Sequence, residues 1–593
     1  MASISPLSTL TISSPSSLCP LSKHQSSKHL KPKRHHRIIP RVACRGNQNN
    51  SSSEEQPPDI VAQRRNLLLG LGGLCGAATL NNNNPFAFAA PLSPPDLTQC
   101  GPPDLPEGVN AVNCCPPPSE KIIDFKFPST NQPLRVRPAA HLVNGDALAK
   151  YEKAMSIMKS LPPDDPRSFT QQANIHCAYC DGAYSQVGFP DLEFQVHACW
   201  LFFPFHRWYL YFYERILGSL INDPTFALPF WNWDASDGMT LPPIYANTAS
   251  PLYDPLRNVD HQPPTLIDLD YGRTFENDGD VSNNLTIMYR QVVSNGKTPT
   301  LFLGNAYRAG DDSAPGAGSV ENVPHGPVHI WTGDPRQPNF ENMGTFYAAA
   351  RDPIFFAHHS NIDRMWSIWK TLGGKRKDFT DPDWLNSGLL FYDENKNLVR
   401  VKVKDSLDTK KLGYVYQNVD IPWLKSKPKP RRKRAQKVAA LAQAQRFGVA
   451  QAAQTSSRSV QFPFVLDSVV STTVKRPKKS RSKKEKEEEE EVLVIDGIEL
   501  DRSKAVKFDV CVNDEDGESV GPGNTEFAGS FVNVSHLHKH KSRETKTCLR
   551  LGLTDLLEEL GADEDDSITV TLIPRYGKGL VKIGGIKIEL RSD

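Results

Sequence analysis

The hydrophobic rhythm changes several times along the 593 residues. Towards the C-terminus, "VLVIDGIEL", "AVKFDVCVND", "FAGSFVNVSH", "SITVTLIPRYG" and "VKIGGIKIEL" alternate or run apolar in pieces of strand length, parted by Gly, Asp and Asn. They predict a small all-β sandwich or barrel over residues 492–593. Residues 90–424 read differently: helical stretches rich in Trp, Tyr, Phe and His are joined by Pro-containing loops, which predicts a mainly α domain. Within it, "DPIFFAHHSNIDRMWSIW" opens on the start signal Asp352-Pro353 and continues as a strongly apolar helix. "PFHRWYLYFYERIL" is a second helix, opened by Pro204. Between the two folded regions, residues 425–491 run from "KSKPKPRRKR" to "KRPKKSRSKKEKEEEEE". Charge blocks of this kind are usually solvated and mobile, so they predict a linker whose many Lys and Arg invite proteolysis.

Ahead of these regions lies one more apolar run, "RRNLLLGLGGLCGAATL". It is shorter than the roughly 20 residues of a comfortable span. Headed by Arg64 and Arg65, it reads as a twin-arginine export signal cleaved near Ala89. The alternative, a buried helix, is weakened by its clustered glycines. Before it, the first 44 residues are rich in Ser, Thr, Lys and His and hold no acidic residue, the composition of an organelle transit peptide. Residues 1–89 therefore form a bipartite targeting region. Two stacked signals lead to a compartment inside an organelle, which for a plant chloroplast is the thylakoid lumen. A net charge of +2 and a mean hydropathy of -0.45 favour neither a nucleic-acid partner nor stable membrane insertion.

Eight of the 11 cysteines follow the targeting region. Cys100, Cys114 and Cys115 sit in a Pro-rich segment with almost no periodicity, which needs stapling. Adjacent Cys114 and Cys115 cannot easily pair with each other and should reach different partners, although spacing alone leaves the connectivity open. Cys199 reads as a small buried hydrophobe.

The chemistry-bearing pattern is histidine. Seven of the nine histidines of the helical domain fall into two groups: His176, His197 and His206, then His325, His329, His358 and His359. In "PHGPVHIWTG", His325 and His329 stand four apart on one helical face, with Pro324 and Pro327 near the helix start. A third ligand should come from the His358-His359 pair, of which only one can point inwards because adjacent helical residues diverge by about 100°. Pro204 separates His197 from His206, and His176 completes the other triplet. Two all-imidazole sets without carboxylate ligands describe a pair of copper ions better than two zinc ions. Packed core histidines are the alternative.

The motifs "HCAYC", "FFPFHRWYLYFYE", "PHGPVHIWTG" and "DPIFFAHHSNIDRMW" closely resemble those of coupled dinuclear (type-3) copper proteins, in particular plant polyphenol oxidases of the catechol oxidase and tyrosinase type. The likeness spans essentially the whole chain, including "DPDWL" at 381–385 and "KFDV" at 507–510. It implies a four-helix-bundle dicopper domain with long loops, followed by a C-terminal β domain shielding the active site, in an enzyme made latent. Copper A would take His176, His197 and His206, and copper B His325, His329 and His359. Cys180 would form a thioether bond to His197. Cys100 would pair with Cys115 and Cys114 with Cys177.

The implied reaction converts two o-diphenols and one dioxygen, the co-substrate, to two o-quinones and water. Phe346 resembles an aromatic gate over copper B, and Glu321 a carboxylate that holds a water near the site and could take a phenol proton, with a structural hydrogen bond as the alternative. Gly326 and Ile330 would shape the substrate mouth. Relatives that hydroxylate monophenols strongly often carry Asn where this chain has Gly326, so diphenol oxidation is the expectation, with monophenol hydroxylation open. Asp363 is expected to orient its helix or a ligand, or else to form a surface ion pair. "HLHKH" at 536–540 reads as a basic loop rather than a metal site. The implied partners are small phenolics and an activating protease. A haemocyanin-like dioxygen carrier, a specialised phenolic hydroxylase and a purely structural lumenal protein are the rival readings.

Overall fold

The computed structural model describes residues 90–592 apart from 107, 120, 130–132, 272–279, 432–459, 515–519 and 536–543. The expected targeting region, 1–89, and the "HLHKH" stretch therefore lie outside the described residues.

The first part of the described chain is built on helices. The principal ones are α1 (Gly145–Ser160), α2 (Phe169–Cys180), α3 (Phe202–Leu220), α4 (Gly326–Thr332) and α5 (Ile354–Thr371). The Ser168 side chain caps α2 by accepting from the Gln171 N–H at 3.2 Å. Along α3 almost every residue from Phe202 to Gly218 is buried, as its near-continuous aromatic sequence requires. Polar groups inside this helix need partners: Glu214 accepts from Arg135 at 2.7 Å and Arg137 at 2.8 Å. Both arginines lie on the short strand Arg135–Arg137, which pairs in parallel with Tyr414–Tyr416.

Two disulfides fasten the Pro-rich segment. Cys100 is joined to Cys115, and Cys114 to Cys177 on α2, with Cα separations of 5.8 and 5.9 Å. Cys199 is fully buried, and among the described residues neither it nor Cys180 joins a disulfide.

The C-terminal domain is a two-sheet sandwich. Its strands are β1 (Phe464–Val465), β2 (Val470–Lys475), β3 (Glu490–Asp501), β4 (Val506–Val512), β5 (Phe527–Asn533), β6 (Glu544–Gly552), β7 (Ser567–Tyr576), β8 (Val581–Ile583) and β9 (Gly585–Arg591). One sheet runs β6-β3-β8-β1 with β9 also on β3, and the other runs β5-β4-β7-β2. Leu493, Ile495, Phe508, Val510, Leu551, Val570 and Leu572 fill the space between them.

Part of the expected linker belongs to this domain. Residues 464–491 supply β1, β2, the helix Lys483–Glu488 and the start of β3. The charges that make this stretch resemble a solvated run have partners: buried Arg476 forms a fork with Glu491 at 2.8 and 2.9 Å, and Ser482 and Glu485 form a capping box. At the other end, Lys429 bridges to Asn524, so the chain leaving the helical domain lies against the sandwich.

Both apolar and polar contacts join the two domains, and Leu301 clusters with Val492 and Val494 of β3. Lys507, 2% exposed, pairs with Asp270 at 2.9 Å, Asn295 donates to the Ala528 carbonyl at 3.0 Å, and Arg290 to that of Asn524 at 3.0 Å. Among the described residues no helix is long and apolar enough to cross a membrane.

Candidate metal centre

Four helices and one loop bring seven buried histidines together. His176 comes from α2, His206 from α3, His325 and His329 from the start and body of α4, and His358 and His359 from α5, with His197 on the loop before α3. They form the two groups read from the spacing, and within each group the ligand-capable atoms lie within 4.8 Å of one another. The groups adjoin: the His206 and His359 rings stack at 4.0 Å.

Hydrogen bonds at Nδ1 decide what each ring offers. His176 donates to the Phe346 carbonyl at 2.8 Å, His206 to Phe202 at 2.8 Å, His325 to Glu321 at 3.0 Å and His329 to Met343 at 2.8 Å. A carbonyl only accepts, so Nδ1 carries the proton and Nε2 presents a lone pair. The Nε2 atoms of His176, His206 and His325 are buried without a hydrogen-bond partner, and that of His329 faces His359 Nε2 at 3.2 Å. Buried acceptors converging in this way call for a cation. Burial also pulls the His176 pKa down to about 3 and that of His329 to about 4, and pushes His206, His325, His358 and His359 well below the usual range. The rings are therefore neutral, the form that binds metal.

His358 differs from the rest. The Trp233 indole N–H, which can only donate, points at its Nδ1 from 3.1 Å. The proton of neutral His358 therefore sits on Nε2.

His197 is positioned by a neighbouring amide. Gln195 Oε1 accepts from the backbone N–H groups of Val196 at 2.8 Å and His197 at 3.0 Å, while its Nε2 donates to the Cys180 carbonyl at 3.1 Å. The expected thioether partners thus hang on one side chain. Glu321 adds a second tie, its Oε1 accepting from Ala198 N–H at 2.5 Å. The other oxygen, Oε2, is buried without a partner, and burial pushes the Glu321 pKa up to about 8.

Phe346 stacks on His197 with ring centroids 4.3 Å apart and meets His176 edge-on at 5.6 Å. Both rings belong to the first histidine group, which corrects the expected position over copper B. The reason is local: Phe346 opens a short helix, Phe346–Ala349, and its carbonyl accepts a hydrogen bond from His176 Nδ1.

A cavity of about 80 Å³ is lined by His197, Glu321, His325, Gly326 and Phe346 from one side and Val532 and Val534 from the sandwich, among others. Ile330 is buried outside this lining. Asp363 forms no surface pair: it is 2% exposed and accepts from Arg207 at 2.5 Å and Tyr414 at 2.6 Å. Gln195, Trp233 and Asn322 carry no sequence signal of their own, because their roles depend on contacts distant in the chain.

Residues 166–372 match the common central domain of tyrosinase, 378–429 the polyphenol oxidase middle domain, and 462–590 the chloroplastic polyphenol oxidase C-terminal domain. A chloroplastic polyphenol oxidase of Malus domestica is 61% identical over 100% of both chains. The chain belongs to the plant polyphenol oxidases. A solved latent apple tyrosinase is 64% identical, with a TM-score of 0.73 over 80% of this chain and 100% of its own. The (+)-larreatricin hydroxylase of Larrea tridentata is 52% identical over 95% of this chain and 96% of its own.

The fold is accordingly a helical catalytic core with a small β domain, and the two histidine groups fit two copper sites. The protein is a copper-dependent oxidoreductase that oxidises o-diphenols to o-quinones with reduction of dioxygen to water.

Proposed function

We propose that His176, His197 and His206 hold copper A, that His325, His329 and His359 hold copper B, and that the C-terminal sandwich covers this centre in a latent enzyme until the linker is cut. The observation that carries the reading is the small cavity shared by His197, His325 and Phe346 with Val532 and Val534 of the sandwich. Copper in the two sets supplies the electron transfer: two o-diphenols release four electrons, and one dioxygen takes them up to give two waters.

The chain's own residues bind and orient the phenol. Phe346 offers an aromatic wall beside His197. Gly326 leaves the mouth open on the His325 side. The unpartnered Oε2 of Glu321 can hold a water or take the proton of a phenol hydroxyl. The Gln195 amide, spanning Cys180 and His197, supports a thioether between these two residues.

Relatives named chloroplastic align with the whole chain, which supports a plastid protein. Placement in the thylakoid lumen rests on the twin-arginine segment, and activation by a protease on the basic run "KSKPKPRRKR". The test is a panel of mono- and diphenols offered to copper-loaded full-length protein before and after cutting in that run. Catechol turnover should rise at least about tenfold on cutting, as expected when a blocking contact of about 1.4 kcal/mol is released. Reversible dioxygen binding without quinone formation in either form would instead indicate a carrier.

Glu321→Gln is expected to retain copper and to lower monophenol turnover by about 100-fold, a common effect of removing a general base. The carboxylate acts when deprotonated. The wild-type rate should therefore climb with pH through the Glu321 pKa, which bound cations draw down from about 8, and the Gln variant should lose this climb. Unchanged monophenol turnover with the same pH profile would remove Glu321 from the mechanism.

A further inference from the structure

The geometry points to Gly326 as a seat kept empty for Val532 and Val534, so that one position governs both the substrate mouth and latency. The inference rests on the latent reading above. Gly326 has φ -58° and ψ -51°, ordinary right-handed helix, so its backbone has no need of glycine. At such a position glycine is a poor choice for helix stability, and some other demand must account for it. The space around the missing side chain identifies that demand. A Cβ built on Gly326 would lie 3.3 Å from Val534 Cγ2, 3.4 Å from Val532 Cγ1 and 3.9 Å from Val532 Cβ. All three nearest atoms belong to the C-terminal domain.

The valines are held there by a second device. One turn before Gly326, the side-chain amide of Asn322 pairs with strand β5 as another strand would: its Nδ2 donates to the Ser530 carbonyl, and its Oδ1 accepts from Val532 N–H at 3.0 Å. Val534, 6% exposed, packs into the apolar core of the helical domain rather than that of the sandwich, and Val532 packs against the same core. At the far end of the segment, the Thr345 hydroxyl donates to the Ser535 carbonyl at 3.3 Å. Segment 530–535 thus lies across α4 with its two valines over the one residue there that has no side chain. A larger residue at 326 pushes directly against the two valines, so the cover must shift away from α4 and give up part of that packing.

The experiment uses the full-length, copper-loaded chain and takes, for each variant, the ratio of catechol turnover after linker cutting to that before. Each variant is its own reference, so a change in intrinsic catalysis cancels. Gly326→Leu should lower the ratio by about tenfold relative to wild type, the factor corresponding to ordinary overpacking, and Gly326→Ala by less. Adding Val532→Ala to Gly326→Leu restores room and should recover much of the ratio, a rescue that general loosening of the fold does not give. If Gly326→Leu is inactive in both forms, hydrogen exchange of the peptide spanning 530–535 decides, since the bonded Val532 amide should exchange at least about tenfold faster in the variant. An unchanged ratio, a fall that Val532→Ala leaves in place, or unchanged exchange would overturn the proposal. A wild-type ratio near one would instead overturn the latent reading beneath it.

Discussion

Replacing His359 by alanine is expected to remove one of the two copper ions and with it all oxidase turnover, whereas His358→Ala should keep both ions and part of the rate. The two residues are neighbours on α5, both fully buried and both in the second histidine group. The distinction is one of protons. His358 accepts the Trp233 indole N–H on Nδ1, which leaves its Nε2 protonated and without a lone pair for a metal. His359 has its Nε2 3.2 Å from that of His329, whose own Nδ1 proton is committed to the Met343 carbonyl. Two ring nitrogens brought this close share either the single proton of neutral His359 or a cation, and in the copper-loaded chain the cation takes that place.

The His358 variant should carry a cost of a different kind. It strands a buried indole N–H, worth about 1–3 kcal/mol of stability, without removing a ligand. Metal analysis checks the pair directly: copper per chain should halve in His359→Ala and hold in His358→Ala. The reverse pattern would assign the ligand to His358.

What the sequence makes legible follows from where each signal lies. His325 and His329 are four apart in the chain and share a helix face, so spacing alone brings them together. The strands of the sandwich are legible because their alternation is local, as in β4 and β7. Charge misleads at 464–491, where Arg476 and Glu491 look solvated until folding joins them in a buried fork. Phe346 is recognisable as an aromatic near the site, but which histidine it covers depends on the turn that aims its carbonyl at His176. Trp233, Gln195 and Asn322 are invisible to periodicity altogether. Each acts across 15 or more residues of sequence, Gln195 on Cys180, Trp233 on His358 and Asn322 on Ser530.

The second large effect is expected at Asp363, four residues beyond His359 on α5. Its carboxylate accepts from Arg207 at 2.5 Å, from Arg137 at 3.4 Å and from the hydroxyls of Tyr414 and Tyr416. Arg207 follows His206 on α3, so this pair locks the helix of one histidine group to the helix of the other. Asp363→Asn keeps the shape and removes the charge. Arg137 would still have Glu214 at 2.8 Å, but Arg207 would keep only neutral acceptors such as the Ser406 carbonyl at 2.9 Å. An uncompensated buried charge of this kind costs about 3–5 kcal/mol. Removing an exposed pair such as Lys483 with Glu487 should cost less than about 1 kcal/mol.

The pH dependence gives an independent check. Burial pushes the Asp363 carboxyl up, but Arg207, Arg137 and the two tyrosine hydroxyls outweigh it and hold the group below the usual range. A depressed carboxyl pKa contributes stability that is present above the unfolded value of about 3.9 and is lost as pH falls through the folded value. The gap between wild type and Asp363→Asn, read from denaturant titrations, should therefore be full at neutral pH and close as the solution is acidified below about pH 4. A gap within about 0.5 kcal/mol at neutral pH, the range of an ordinary surface substitution, would show that α3 and α5 are held by their apolar packing, with the ion pair contributing no net stability.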